Sequence, residues 1–161
     1  MTISEATAPA STSAEQLTAL LKAFRLMQLQ HGRVIIHQST ALAMGATDIR
    51  ALFFISEAGD GVTPKQVAEF LELSTGATTS LVDRLEAGGT IERTAHPTDR
   101  RSVVLALTPA GRGAVQTVAD VYRCALAQAI PESDYAEMTT LFGRVAVALS
   151  EGSDCFDQST A

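Results

Sequence analysis

The chain has 161 residues, 46% hydrophobic and 19% charged, with 12 basic against 18 acidic side chains and a formal net charge of -6. That is an ordinary globular balance, long enough for one domain with a sizeable core. No apolar run approaches the roughly 18 residues of a membrane span, and the N-terminus lacks the basic segment and apolar core of a secretory signal. The expectation is a cytoplasmic protein with no membrane partner. Cys124 and Cys155 are the only cysteines and have no C-x-x-C spacing, so neither a zinc site nor a disulfide framework is expected. Arg123 adjoins Cys124, but neighbours on a helix point in different directions.

Residues 1–12 are rich in Ser, Thr, Ala and Pro without periodicity and read as a disordered tail. Residues 13–46 read as one long helix. Ser13-Ala14-Glu15-Gln16 resembles a capping box, and Leu17, Leu20, Leu21, Phe24 and Met27 trace a stripe. The stripe extends through His31, Val34, Ile35 and Leu42, ending near Gly45, with Gly32 a candidate bend. So apolar a face needs a partner. His31 and His37 are six apart, not the four that puts two ligands on one face, and no H-E-x-x-H occurs, so no metal site is expected. His31 is expected to be hydrogen-bonded or to line a cavity. A second helix should be capped by Thr47, carry Ile49, Leu52, Phe53 and Ser56, and end at Gly59-Asp60-Gly61.

Thr63-Pro64-Lys65-Gln66 is a helix start. Thr63 can cap an orphan N–H, Pro64 needs none at the first helical position, and Gln66 can reach back. Val67, Phe70 and Leu71 give one buried face. Leu73-Ser74-Thr75-Gly76 breaks the pattern and supplies a second capping hydroxyl. Thr78, Leu81, Val82 and Leu85 repeat the helical spacing until Gly88-Gly89. The period then changes to two. Ile91 begins one strand, and Val103, Leu105 and Leu107 alternate along another. Between them lies the polar turn His96-Pro97-Thr98-Asp99-Arg100-Arg101.

Helix, turn, helix and hairpin together predict a winged helix-turn-helix over residues 47–111. Such a unit puts one helix in the major groove and a loop in an adjacent minor groove of double-stranded DNA. Thr108-Pro109 opens a further helix with Val115, Val118, Ala119, Tyr122, Ala125, Leu126 and Ala129 as its stripe, stopped by Pro131. A last helix, capped by Ser133, carries Met138, Leu141, Phe142, Val145 and Leu149 and closes at Gly152. Residues 153–161 read as a second disordered tail. The fold class is mainly α with a small β-hairpin wing, flanked by helices at 13–46 and 112–152.

The expected DNA-contacting set is Ser74, Thr75, Thr78, Thr79 and Ser80 at the start of the recognition helix, Arg84 further along it, Arg93 at a strand, and His96, Asp99, Arg100 and Arg101 in the wing. Hydroxyls at a helix N-terminus can meet phosphates or base edges. Core packing is the competing reading for Thr78, and ion pairing with Asp83, Glu86 or another nearby carboxylate is the competing reading for Arg84. The guanidinium is forked and always charged, which suits a narrow, negative minor groove. Between Arg93 and Arg101 three arginines stand against one acid, so the reading head can be positive on an acidic body.

The run LVDRLEAGGTIER…HPTDRRSVVLALTPAG resembles the MarR family of bacterial transcription regulators. Asp99-x-Arg101 matches the family's D-x-R wing, and Leu107-Thr108-Pro109-Ala110-Gly111 matches its L-T-x-x-G. The resemblance implies that Arg101 inserts in the groove and Asp99 anchors it. It implies a homodimer whose interface is built by the terminal helices, here Leu17, Leu20, Leu21 and Phe24 with Met138, Leu141, Phe142, Val145 and Leu149. It also implies repression at a near-palindromic operator, with release by a small aromatic or phenolic effector. No residue identifies that effector, and no cofactor is implied. The alternative is a winged-helix protein-interaction module without sequence-specific DNA binding, which the negative charge allows. No nucleophile–base arrangement, phosphate-cradling loop or paired metal ligands point to an enzyme.

Overall fold

The computed structural model describes residues 12–59, 61–95 and 102–157, with side chains through 152. Its elements are α1 (Ser13–Ala41), α2 (Ala46–Ala58), α3 (Pro64–Leu71), α4 (Thr75–Ala87), β1 (Ile91–Ala95), β2 (Val103–Leu107), α5 (Pro109–Ala129) and α6 (Tyr135–Asp157). They fall into two compact units, one through Val118 and one from Ala119.

In the first unit, the cap of α1 lies one residue earlier than its sequence suggests. Thr12, not Ser13, caps α1. Its hydroxyl accepts from the Glu15 amide at 3.3 Å, and the Glu15 carboxylate accepts from the Thr12 amide at 2.8 Å. The carboxylate makes the stronger box, because a charged acceptor outcompetes the amide of Gln16. α1 runs unbroken through Gly32 and stops at Ala41, short of Gly45. Gly45, not Thr47, then caps α2, with its amide donating to Asp48 Oδ2 at 3.0 Å. Within its own unit α1 buries only Ile35, and His31 is exposed. Leu17 and Leu20 remain about two-thirds exposed, at 66% and 65%.

The core gathers Ala51, Leu52 and Ile55 of α2, Val67 and Leu71 of α3, Leu81, Val82 and Leu85 of α4, and Ile91 and Leu105 of the hairpin. The Thr63 box forms as its residues dictate. The Thr63 amide donates to Gln66 Oε1 at 2.8 Å, and the Gln66 amide donates to Thr63 Oγ1 at 3.3 Å. Phe70 departs from the expected buried face. It is 52% exposed and stacks on Phe54 of α2 with ring centroids 4.3 Å apart. An eight-residue helix has room to bury only Val67 and Leu71 fully, and Phe70 lies at the edge of that stripe.

β1 and β2 pair antiparallel, Ile91 with Leu107, Arg93 with Leu105 and Ala95 with Val103. The expected alternation along β2 fails at its start: Val103 is exposed and Val104 buried. The Leu105 amide also donates to the Val62 carbonyl at 2.7 Å, so β2 has a backbone neighbour on each edge, and α2 and α3 pack against it, with Val104 and Leu105 on opposite faces both buried. The turn between α4 and β1 is locked to the start of α5. Gly89 takes a φ of 68°. Thr108 Oγ1 donates to its carbonyl at 2.6 Å and accepts from the Gly111 amide at 3.1 Å. A Cβ on Gly111 would lie 2.0 Å from the Thr90 carbonyl oxygen, which explains the glycine in L-T-x-x-G.

The second unit holds the rest of α5, a 3-10 turn at Glu132–Asp134 and α6. Ser133 does not cap α6. It lies within the 3-10 turn, and its hydroxyl donates to Asp134 Oδ1 at 2.7 Å. Gly152 does not end α6, which continues to Asp157, because one glycine costs a helix only about 1 kcal/mol. Leu141, Phe142, Val145 and Leu149 are all exposed, as is Cys124. A cleft of about 310 Å³ opens between α5 and α6, lined by Leu126, Ile130, Tyr135, Met138 and Phe142. Burial pushes the Tyr122 hydroxyl above its ordinary pKa. Among the described residues no helix is long and apolar enough to cross a membrane.

Candidate nucleic-acid interface

α4 has one buried face and one open face. Thr78, Leu81, Val82 and Leu85 form the first. Thr78 therefore leaves the expected DNA-contacting set: it is 4% exposed and its hydroxyl donates to the Ser74 carbonyl at 3.0 Å. Ser74 is the N-cap, accepting from the Ala77 amide at 3.4 Å. Thr75, Thr79 and Ser80 are exposed. Thr79 donates to the Thr75 carbonyl at 2.9 Å and Ser80 to the Gly76 carbonyl at 3.0 Å. A hydroxyl whose proton is spent one turn back offers its lone pairs outward, so this face presents acceptors. Nothing lies within 4 Å of a Cβ built on Gly76, which leaves the helix start open to close approach.

The two arginines of the expected set that lie outside the wing, Arg84 and Arg93, are committed to carboxylates. Arg84 Nε lies 3.2 and 3.1 Å from the two Asp48 oxygens, and Nη2 is 2.5 Å from Oδ1. The Asp48 side chain is 5% exposed, whereas that of Arg84 is 57% exposed. The Asp48 hydrogen bonds, then its charge, hold the Arg84 guanidinium above its ordinary pKa, against a smaller desolvation effect. Nothing in the sequence marks Asp48, which is 36 positions from its partner; only the packing of α2 against α4 brings them together. Arg93 Nη2 is 2.5 Å from Asp83 Oδ1 and its Nη1 is 3.2 Å from Glu86 Oε2. The hairpin register explains this. Arg93 lies opposite Leu105, on the same side as Ile91 and Leu107, so its side chain is directed at α4.

His96, Asp99, Arg100 and Arg101 lie outside the described residues. Leu17, Leu20, Leu21 and Phe24 sit on α1, and Met138, Leu141, Phe142, Val145 and Leu149 on α6. Within their respective units Phe24 and Met138 are half-buried and the other seven exposed. Among the described residues no three His, Cys, Asp or Glu side chains gather as metal ligands.

A capped helix, a tight turn, a second helix with an open hydroxyl face and an antiparallel hairpin packed beside it define a winged helix-turn-helix. Residues 44–102 match the model of the MarR family. Over 74 residues the chain is 42% identical to the uncharacterized HTH-type transcriptional regulator YcgE of Bacillus subtilis (strain 168), covering 45% of this chain and 47% of that protein. The chain spans about half the length of the curated relatives it matches. RV1404 from Mycobacterium tuberculosis has a similar structure, with 29% identity, a TM-score of 0.62 and coverage of 91% of this chain and 97% of the other. A mutant MepR from a multidrug resistant S. aureus clinical isolate superimposes with a TM-score of 0.69 at 17% identity, over 81% and 96% of the two chains. S. aureus MepR has also been solved in complex with DNA. The likeness to the MarR family thus covers the winged head, residues 44–102.

Proposed function

We propose that this chain is a DNA-binding transcription regulator. It acts as a homodimer that represses from a near-palindromic operator, with α4 in the major groove and residues 94–102 as the wing. The observation that carries the reading is the open face of α4, where Thr75, Thr79 and Ser80 stand exposed beside a small residue at the helix start. Acceptors on such a face suit the amino groups of adenine or cytosine in the major groove. The family's winged fold and the DNA complex of MepR support it. Exposed leucines on α1 and exposed Leu141, Phe142 and Leu149 on α6 support the homodimer, because a second copy would cover them. Two heads related by a twofold axis would meet half-sites about one helical turn apart.

Release by a small aromatic or phenolic effector belongs to the same proposal. Bound effector would shift the dimer between shapes of different DNA affinity. The mainly apolar cleft between α5 and α6 has the lining for such a molecule.

The test is binding to the DNA just upstream of the protein's own gene, and to a genome-fragment selection, titrated with salt. Arg100→Ala/Arg101→Ala should bind more weakly than wild type, with a salt slope shallower by roughly 0.9 for each phosphate no longer neutralised. Binding no tighter than to random duplex in every fragment would overturn the reading and leave the protein-interaction module.

A further inference from the structure

Thr75, Thr79 and Asp83 stand at i, i+4 and i+8 on α4, so the exposed hydroxyl stripe ends in a carboxylate, with Glu86 one turn further on. Carboxylates on a helix entering a groove face a polyanion at close range and oppose binding. Here both are covered. Arg93 reaches across from β1 and places one guanidinium nitrogen on each, 2.5 Å from Asp83 and 3.2 Å from Glu86. The Arg93 side chain is 33% exposed, less than either acid at 58% and 41%.

We infer that Arg93 is a positioning residue for DNA reading: it neutralises the acidic end of the recognition helix rather than gripping a phosphate. This rests on the regulator reading above. Both terminal nitrogens of its guanidinium are engaged by carboxylates, and the hairpin register turns the side chain toward α4. The same bridge ties the base of the wing to the recognition helix, fixing the two reading elements relative to one another. An arginine does this better than a lysine because its planar fork meets two carboxylates at once.

The test is a cycle of variants assayed on the operator fragment that wild type retains. Arg93→Gln should lose roughly tenfold in operator affinity, because two carboxylates then face the backbone unneutralised. Asp83→Asn/Glu86→Gln removes what Arg93 covers. In that background Arg93→Gln should change affinity by less than about twofold. This second arm keeps the test decisive if Arg93→Gln alone folds poorly, since the doubly neutral background has no uncompensated acids. A phosphate-gripping arginine would give the opposite pattern: the same loss in both backgrounds, and that result overturns the inference. Equal affinity of Arg93→Gln and wild type overturns it too. If wild type retains no duplex at all, the regulator reading falls and this inference falls with it.

Discussion

Two glycines two residues apart on α5 should respond to alanine in opposite directions. Gly111 is buried at the first turn, and a Cβ there would sit 2.0 Å from the Thr90 carbonyl oxygen, 3.0 Å from the Thr90 carbonyl carbon and 3.3 Å from Leu107 Cδ2. The first distance is more than about 1 Å inside van der Waals contact, and the obstacle is backbone, which cannot rotate away. Relief requires the start of α5 to retreat from the α4–β1 turn. That retreat stretches the bond from the Thr108 amide to the Thr90 carbonyl (3.1 Å) and the bond from Thr108 Oγ1 to the Gly89 carbonyl (2.6 Å). Overpacking costs about 1–3 kcal/mol and two weakened hydrogen bonds about 1–2 kcal/mol more, while alanine returns about 1 kcal/mol of helix propensity. The net expectation for Gly111→Ala is a loss of roughly 3 kcal/mol. Gly113 has nothing within 4 Å of its Cβ position, so Gly113→Ala should gain about 0.5–1 kcal/mol. Urea unfolding followed by far-UV circular dichroism, at one fixed protomer concentration, measures both. A loss below about 1 kcal/mol at Gly111, or equal effects at the two sites, would show that the lock between Thr90 and α5 is not what constrains the glycine.

The Asp48–Arg84 pair is asymmetric in burial, so its two halves should not be equivalent. Arg84→Met strands a buried carboxylate with the Gly45 amide as its remaining donor and should cost about 3 kcal/mol. Asp48→Asn leaves a half-exposed guanidinium that water can reach and should cost about 1 kcal/mol; denaturation midpoints in the reverse order would refute this. Tyr122 should titrate above the ordinary tyrosine value of about 10, read by its phenolate absorbance in a Tyr135→Phe background. Because its folded pKa is raised, the stability it contributes is complete below about pH 10 and fades as pH rises through the folded value. A midpoint at or below the unfolded value would contradict its burial.

Much of the head was legible in the residues because its signals are local. Thr63, Pro64 and Gln66 state a helix start within four positions, and the structure forms each bond of it. Ser74 and Gly89 mark the start and end of α4 for the same reason: a hydroxyl that caps and a residue free to take positive φ. Boundaries failed where two local candidates competed. Ser13 and Thr12 both offer a capping hydroxyl, and the one with the carboxylate three residues on won. Thr47 lost to Gly45 because the Asp48 carboxylate satisfies the Gly45 amide from within the helix. Of the expected DNA-contacting hydroxyls, that of Ser74 caps, that of Thr78 is buried, and those of Thr75, Thr79 and Ser80 lie on exposed residues.

Sequence by itself determined the order of elements, the winged helix-turn-helix and the family resemblance, since capping, periodicity and turn chemistry act over a few residues. Tertiary structure alone decided which charges are committed. Asp48 and Arg84 are 36 positions apart and meet only when α2 packs on α4. In the sequence Arg93 is an expected DNA contact, yet strand register turns it onto Asp83 and Glu86. The reason is physical: a charge finds its partner through space, and the pairing of strands and packing of helices set those distances.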